Sequence, residues 1–245
     1  MTLPVVLITG ASRGIGAATA RLFAAKGYAV GVNFNRGATE AEALVADLKN
    51  EGHQAIALQA DVADENAVLE MFETLDRELG VLNVLVNNAG ISGPRCRVEE
   101  LPAADLRQIL ETNVVGPVLC SQQAIRRMSR NHGGMGGTII NVSSGSAYIG
   151  NPGRGVHYAI SKGALNSFTI GASQELVAEG IRVNAVAPGM TVTEMTEGLP
   201  SETFTNLPMG RAAEPVEIAN AIYWLATDEA SYVAGANIRV GGGRP

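Results

Sequence analysis

Cysteine, histidine, aromatic side chains and basic runs are all scarce in this chain, and each scarcity removes a class of function. Of 245 residues, 2 are cysteine, 3 are histidine and 4% are aromatic. Cys96 and Cys120 lie far apart and form no Cys-x-x-Cys pair, which argues against a disulfide framework and for free thiols in a reducing compartment. His53, His132 and His157 are equally scattered, so no metal-ligand spacing is present. Lysine and arginine total 18 against 24 acidic residues, giving a formal charge of -6, and form no run of the kind a nucleic-acid-binding face needs. No apolar stretch approaches the length that spans a bilayer. The apolar opening Leu3 to Ile8 is too short for a signal core and stops at Thr9-Gly10. The expectation is a soluble, cytoplasmic protein that works on a small molecule, with no membrane or nucleic-acid partner and no metal.

What the chain does have is glycine, 29 residues of it, and a hydrophobic fraction of 46%. That is enough for a sizeable core. Short apolar runs alternate with amphipathic segments in the order of βαβ units. Val5 to Thr9, Ala29 to Phe34, Ala55 to Gln59 and Val81 to Val86 read as strands. Between them Gly16 to Lys26, Glu40 to Glu51 and Asp64 to Leu79 read as helices. The second half adds helices at Ala104 to Asn113, Gly116 to Arg130, Tyr158 to Glu179 and Pro215 to Ala226, with strands at Thr138 to Val142, Arg182 to Val186 and Ile238 to Val240. No linker or repeat interrupts the series. Residues 1–245 therefore read as a single α/β domain, a Rossmann-like doubly wound parallel sheet with helices on both faces and ligands at the carboxyl ends of the strands.

The first strand runs into Thr9-Gly10-Ala11-Ser12-Arg13-Gly14-Ile15-Gly16 and an alanine-rich helix. Glycines here let the chain turn, admit a pyrophosphate against bare backbone and seat the helix close to the strand. The gap between Gly10 and Gly14 is longer than in the G-x-G-x-x-G fingerprint. Further on stand Asp61-Val62, Asn87-Asn88-Ala89-Gly90, Asn113, Ser144, Tyr158 with Lys162, and Pro188-Gly189 with Thr191 and Thr193. In this order the set resembles the short-chain dehydrogenase/reductase family over nearly the whole chain.

The resemblance implies a hydride transfer between a nicotinamide dinucleotide and a carbonyl or alcohol. Its cofactor contacts would fall on Gly10, Ser12, Arg13, Gly14, Ile15, Gly16, Asn35, Arg36, Asp61, Val62, Asn87, Ala89, Gly90, Tyr158, Lys162, Pro188, Gly189, Thr191 and Thr193. Tyr158 would be the acid/base, Ser144 the donor to the substrate oxygen, and Asn113 the holder of a water linking Lys162 to solvent. Tyr158 and Lys162 are i and i+4 on a helix, so they share a face. One cation at about 4 Å in an effective dielectric of about 20 contributes about 4 kcal/mol, enough to bring a phenol from about 10 toward neutrality. The usual spacing before the tyrosine falls on Gly145, which has no hydroxyl; one extra residue between Gly150 and His157 leaves Ser144 as the candidate, with Ser143 and Ser146 as alternatives.

The end of the second strand reads Asn33-Phe34-Asn35-Arg36, without the carboxylate that an NAD enzyme places on the ribose hydroxyls. With Arg13 and Arg36 available to a 2′-phosphate, NADP(H) is expected over NAD(H). His157 is expected to pack or line the pocket. Met190 to Pro208, in which Gly198, Pro200 and Pro208 punctuate apolar residues such as Met195, Leu199, Phe204 and Leu207, reads as a lid. Arg95, Arg97 and Arg154 fall near the cleft and admit an anionic or hydroxyl-rich substrate. Val240-Gly241-Gly242 lacks the acidic residue common before two glycines in the family, which otherwise implies a homotetramer or dimer. A 3-oxoacyl reductase and a sugar dehydrogenase both remain open, and a non-catalytic dinucleotide-binding regulator is the alternative outside enzymes.

Overall fold

The computed structural model describes residues 3–198 and 202–244. Seven strands form one parallel sheet in the order β3-β2-β1-β4-β5-β6-β7. They are β1 Val5–Ile8, β2 Ala29–Phe34, β3 Ala55–Gln59, β4 Leu82–Asn87, β5 Gly137–Val142, β6 Ile181–Pro188 and β7 Asn237–Val240. The order reverses between β1 and β4, which opens a crevice beyond their carboxyl ends. The helices are α1 Gly14–Ala25, α2 Ala38–Asn50, α3 Glu65–Glu78, α4 Ala103–Leu110, α5 Gly116–Met128, α6 Ser146–Ile149, α7 Val156–Leu176, α8 Glu202–Thr205 and α9 Pro215–Ala226.

The period of two along a strand divides the core. Val6 and Ile8 of β1 pack with Phe23 of α1, Leu44 and Leu48 of α2, and Ile218 and Ile222 of α9. Val5 and Leu7 point the other way, to Phe72 and Leu75 of α3, Ala124 and Met128 of α5, and Leu176 of α7. Both faces are covered, so β1 and β4 have no polar alternation to show. The expected class and the expected strand order of events along the chain are those observed.

Several boundaries differ from the expectations, each for a local reason. α1 begins at Gly14 rather than Gly16. α3 keeps Asp64 as its N-cap, whose carboxylate accepts from the N–H groups of Asn66 and Ala67 at 2.9 and 3.1 Å. The two helices expected on either side of residues 113–116 are one rod, joined by a π turn at Glu111–Val115 in which Gly116 N–H donates to Glu111 O. Pro117 has no N–H to give to the Asn113 carbonyl one turn back, and the i→i+5 turn absorbs the break. α7 begins two residues before Tyr158 and closes through a short 3₁₀ turn, Val177–Glu179, on a left-handed Gly180. Of the expected lid, Met190, Met195 and Thr203 reach the crevice and a 3₁₀ turn spans Glu194–Thr196. Leu199 and Pro200 lie outside the described residues.

Candidate active site

The crevice at the sheet switch is a cavity of about 990 Å³. It is assembled from the loops that follow β1, β2, β3, β4, β5 and β6. Gly10 turns the chain with φ +60, and a Cβ there would lie 2.8 Å from the Ala89 Cα. A Cβ on Gly16 would lie 2.5 Å from the Gly10 carbonyl oxygen. Bare backbone is thus required on both sides of the turn, which leaves room above the amino end of α1 for a pyrophosphate.

Two asparagines fix this turn; both stand in the motifs quoted above, but neither was expected among the site residues. Asn33 is buried near the end of β2; its Oδ1 accepts from Gly10 N–H at 3.1 Å, and its Nδ2 donates to the Leu58 and Ala60 carbonyls at 3.1 Å. The available signal was a polar residue inside an apolar strand, which has to find partners when buried. Asn88 donates from Nδ2 to the Thr9 and Gly10 carbonyls at 2.9 Å. The Thr9 hydroxyl in turn accepts from the Asn88 and Ala89 N–H groups at 3.0 Å.

Most of the expected site residues line this one cavity: Gly10, Ser12, Arg13, Gly14 and Ile15 from the first turn, Asn35 and Arg36 beyond β2, Asp61 and Val62 beyond β3, Ala89 and Gly90 beyond β4, Ser144, Tyr158 and Lys162, and Pro188, Gly189, Thr191 and Thr193 beyond β6. Three do not line it. Gly16 lies beneath the turn. The Asn87 amide is buried in the core, donating to Asn141 Oδ1 at 2.9 Å and Ser121 Oγ at 3.1 Å. Asn113 is also buried, within the π turn; its Oδ1 accepts from Ile91 N–H at 2.8 Å, and its Nδ2 donates to the Ile91 carbonyl and the Ser161 hydroxyl at 2.9 and 3.0 Å. Asn113 still approaches Lys162, because a Cβ on Gly90 would lie 3.3 Å from Asn113 Oδ1 and 3.4 Å from Lys162 Nζ.

At the centre, the Tyr158 phenol and the Ser144 hydroxyl line the same wall of the cavity, close enough for Ser144 to act on the phenol's acidity. Ser143 turns away and donates to the Lys162 carbonyl at 3.3 Å, while Ser146 N–H donates to Ser144 Oγ at 3.1 Å. Lys162 is buried; its Nζ lies 5.8 Å from the Tyr158 ring centroid and donates to the Val142 carbonyl at 2.7 Å. Burial pushes the phenol above its ordinary value, opposed by the Ser144 hydrogen bond, and lowers the ammonium to about 8. In the chain alone burial is the largest influence on the phenol and holds it above its ordinary value, opposite in direction to the lowering expected from Lys162.

The flanking residues sort themselves. His157 is buried with Nε2 3.2 Å from the Ser92 carbonyl oxygen. Arg13 pairs with Glu194 at 2.8 Å across the mouth of the cavity. Arg95 and Arg154 line the cavity, whereas Arg97 pairs with Glu99 and does not. Among the described residues no helix is long and apolar enough to cross a membrane, and no cluster of metal-ligating side chains occurs.

A doubly wound sheet with a glycine cradle, and a phenol beside a serine and an amine at the switch point, defines an oxidoreductase of the dinucleotide-binding class. Comparison with known proteins narrows it. A family model described as enoyl-(acyl carrier protein) reductase matches residues 10–244. The chain is 44% identical to the uncharacterized oxidoreductase YgfF of Escherichia coli, over 99% of this chain and 100% of that one. It is 39% identical to the 3-oxoacyl-[acyl-carrier-protein] reductase FabG of Staphylococcus aureus, over 97% and 96%. It is 40% identical to the cis-4-hydroxycyclohexanecarboxylate dehydrogenase of Sinomonas cyclohexanicum, over 98% and 95%. Among solved structures, a short-chain dehydrogenase from Burkholderia cenocepacia in complex with NADP superposes with a TM-score of 0.90 at 33% identity, covering 98% of this chain and 97% of that one. The chain belongs to the short-chain dehydrogenase/reductase family and is an oxidoreductase.

Proposed function

We propose that this oxidoreductase reduces a small carbonyl compound, or oxidises the corresponding alcohol, with NADP(H) in preference to NAD(H) and with Tyr158 as the acid/base. The observation that carries the proposal is the meeting of Ser144, Tyr158 and Lys162 in the cavity that also holds the glycine cradle. Ser144 holds the substrate oxygen beside the phenol. The protonated Tyr158 gives its proton to that oxygen as a carbonyl is reduced, and takes one back in the reverse direction. Lys162 supplies the nearby charge and, through the Gly90 backbone, lies next to Asn113, which orders the route for proton resupply. The bound cofactor supplies the hydride or accepts it, and its oxidised ring adds positive charge that favours the phenolate.

The residues fit a phosphorylated dinucleotide. The cavity wall beyond β2 carries Asn33, Phe34, Asn35 and Arg36 and no carboxylate, and Arg13 stands at the mouth. The NADP complex of the Burkholderia cenocepacia relative supports this preference. The named reactions of the Staphylococcus aureus and Sinomonas cyclohexanicum relatives both concern a C=O/CH–OH couple, the chemistry that Tyr158 serves.

Two free cysteines suit a reducing, cytoplasmic location. Ile160 and Ile170, apolar and exposed on α7, support assembly into a dimer or tetramer, which light scattering would measure. The direct test of function is a screen of aldehydes, ketones and alcohols with NADPH, NADH and their oxidised forms, followed by nicotinamide absorbance. Turnover of at least one carbonyl with NADPH, faster than with NADH, is expected; absence of turnover across the screen would overturn the proposal.

A further inference from the structure

The walls of the cavity are far more cationic than the chain that builds them. The chain carries a formal charge of -6. Among the described residues that line it, Arg13, Arg36 and Lys162 stand with Asp61 and Glu194, while Arg95, Arg154, Arg239 and Arg244 are accompanied by one further carboxylate, Glu111. From this imbalance we propose that the substrate carries a carboxylate and that Arg154 anchors it. The inference rests on the reading of the cavity as a carbonyl/alcohol site.

These arginines are not equivalent. Arg239 is engaged, donating to the Arg244 carbonyl at 2.8 Å with its guanidinium 4.8 Å from the Tyr148 ring centroid. Arg95 and Arg154 take part in none of the ion pairs among the described residues. The backbone beneath Arg154 is unusual as well. Gly150, Asn151 and Gly153 have φ of 68, 48 and 69, and Asn151 is the only non-glycine with positive φ among the described residues. Such strain persists where the surrounding structure holds it, and it concentrates at ligand sites. The Asn151 carbonyl accepts from the N–H groups of Arg154 and Gly155 at 3.3 and 3.1 Å, closing the turn. That turn leads directly into α7, so Arg154 stands on the cavity wall one helical turn ahead of Tyr158. Arg95 arrives from a separate loop, beyond β4.

A guanidinium presents two parallel N–H donors that match a carboxylate, and binding there would fix a keto acid at one end while Ser144 and Tyr158 hold the carbonyl at the other. Among the described residues Glu111 is the one acid lining the cavity besides Asp61 and Glu194, so the charge suits an anion over a neutral compound.

The test compares acetoacetate and levulinate with their methyl esters, and with dihydroxyacetone phosphate. Two readouts are taken on wild type, Arg154→Ala, Arg154→Lys and Arg97→Ala: kcat/KM, and binding to the protein–NADPH complex by nicotinamide fluorescence, which needs no turnover. Wild type is expected to prefer at least one acid over its ester by about tenfold to hundredfold. Arg154→Ala should abolish that preference without changing the ester, Arg154→Lys should restore part of it, and Arg97→Ala should leave it intact. Equal treatment of acids and esters, a preference that survives Arg154→Ala, or preference for dihydroxyacetone phosphate over both keto acids would overturn the assignment. Acid-selective, Arg154-dependent binding without turnover supports the anchor and counts against the reductase reading; turnover of acids and esters alike, independent of Arg154, does the reverse.

Discussion

Burial lowers the Lys162 ammonium from 10.5 to about 8, and that shift makes the residue a cost to the fold. Between about pH 8 and 10.5 the unfolded chain binds the proton that the folded chain has released, so stability rises with pH through this window. Below pH 8 the full cost is present, at most about 3 kcal/mol. Lys162→Met also removes the donor to the Val142 carbonyl, a loss of about 1 kcal/mol. Its melting temperature at pH 7 is expected to exceed that of wild type, with the gain shrinking by about pH 9.5. Thermal melts at both pH values check this, and an equal fall at both would show that Lys162 is not a strained cation. The proximity of Ser144 to Tyr158 gives a second expectation: Ser144→Ala loses turnover by about a hundredfold, whereas Ser146→Ala, whose N–H and not its hydroxyl bonds to Ser144, loses little. The reverse ranking in steady-state kinetics would move the substrate contact to Ser146. A third concerns the cofactor. Arg13 is shared between Glu194 and any 2′-phosphate, so Arg13→Ala and Arg36→Ala should weaken NADPH more than NADH. Glu194→Gln should tighten NADPH by about two- to fivefold, the scale of an exposed ion pair. Titrations giving equal losses for the two cofactors would remove these arginines from the phosphate.

At the scale of elements, the π turn holds Asn113 against Ile91, and its cause is the missing N–H of Pro117. Pro117→Ala returns a donor for the Asn113 carbonyl and allows a regular helix, which would rotate Asn113 away from the loop beyond β4. The variant is expected to stay folded, with a melting temperature no lower than wild type, and to lose turnover several-fold; unchanged turnover would show that the turn does not position the site. This element also marks a limit of legibility. From the sequence, one helix is expected to end at Asn113 and the next to begin at Gly116, because local propensity places glycine and proline at a helix start and not in its interior. Packing kept the rod continuous: the start of α5 approaches the loop beyond β3 so closely that a Cβ on Gly116 would lie 2.7 Å from Val62 Cγ2. The glycine turn and the Tyr158–Lys162 pair were legible because their chemistry requires set residues at set spacings. The bracing roles of Asn33 and Asn88 were not legible, because their partner groups come from segments distant in sequence.

At the scale of the whole molecule, the sheet was legible from the alternation of short apolar runs and amphipathic segments, since strands covered on both faces are apolar along most of their length. The cavity's charge was legible in part: Arg95 and Arg154 read as cleft residues, whereas Arg239 and Arg244, far along the chain from them, join the lining only in the folded molecule. The same architecture makes the central claim testable at one atom. The glycine cradle lies on the loops beyond β1 and β4, while the Tyr158 hydroxyl belongs to α7, so cofactor binding and proton transfer can be separated. Tyr158→Phe keeps the ring and removes the proton. The measurement is NADPH affinity and carbonyl turnover on the same preparation of this variant. The account predicts affinity close to wild type with turnover lower by about a hundredfold to ten-thousandfold; turnover near the wild-type rate would contradict it.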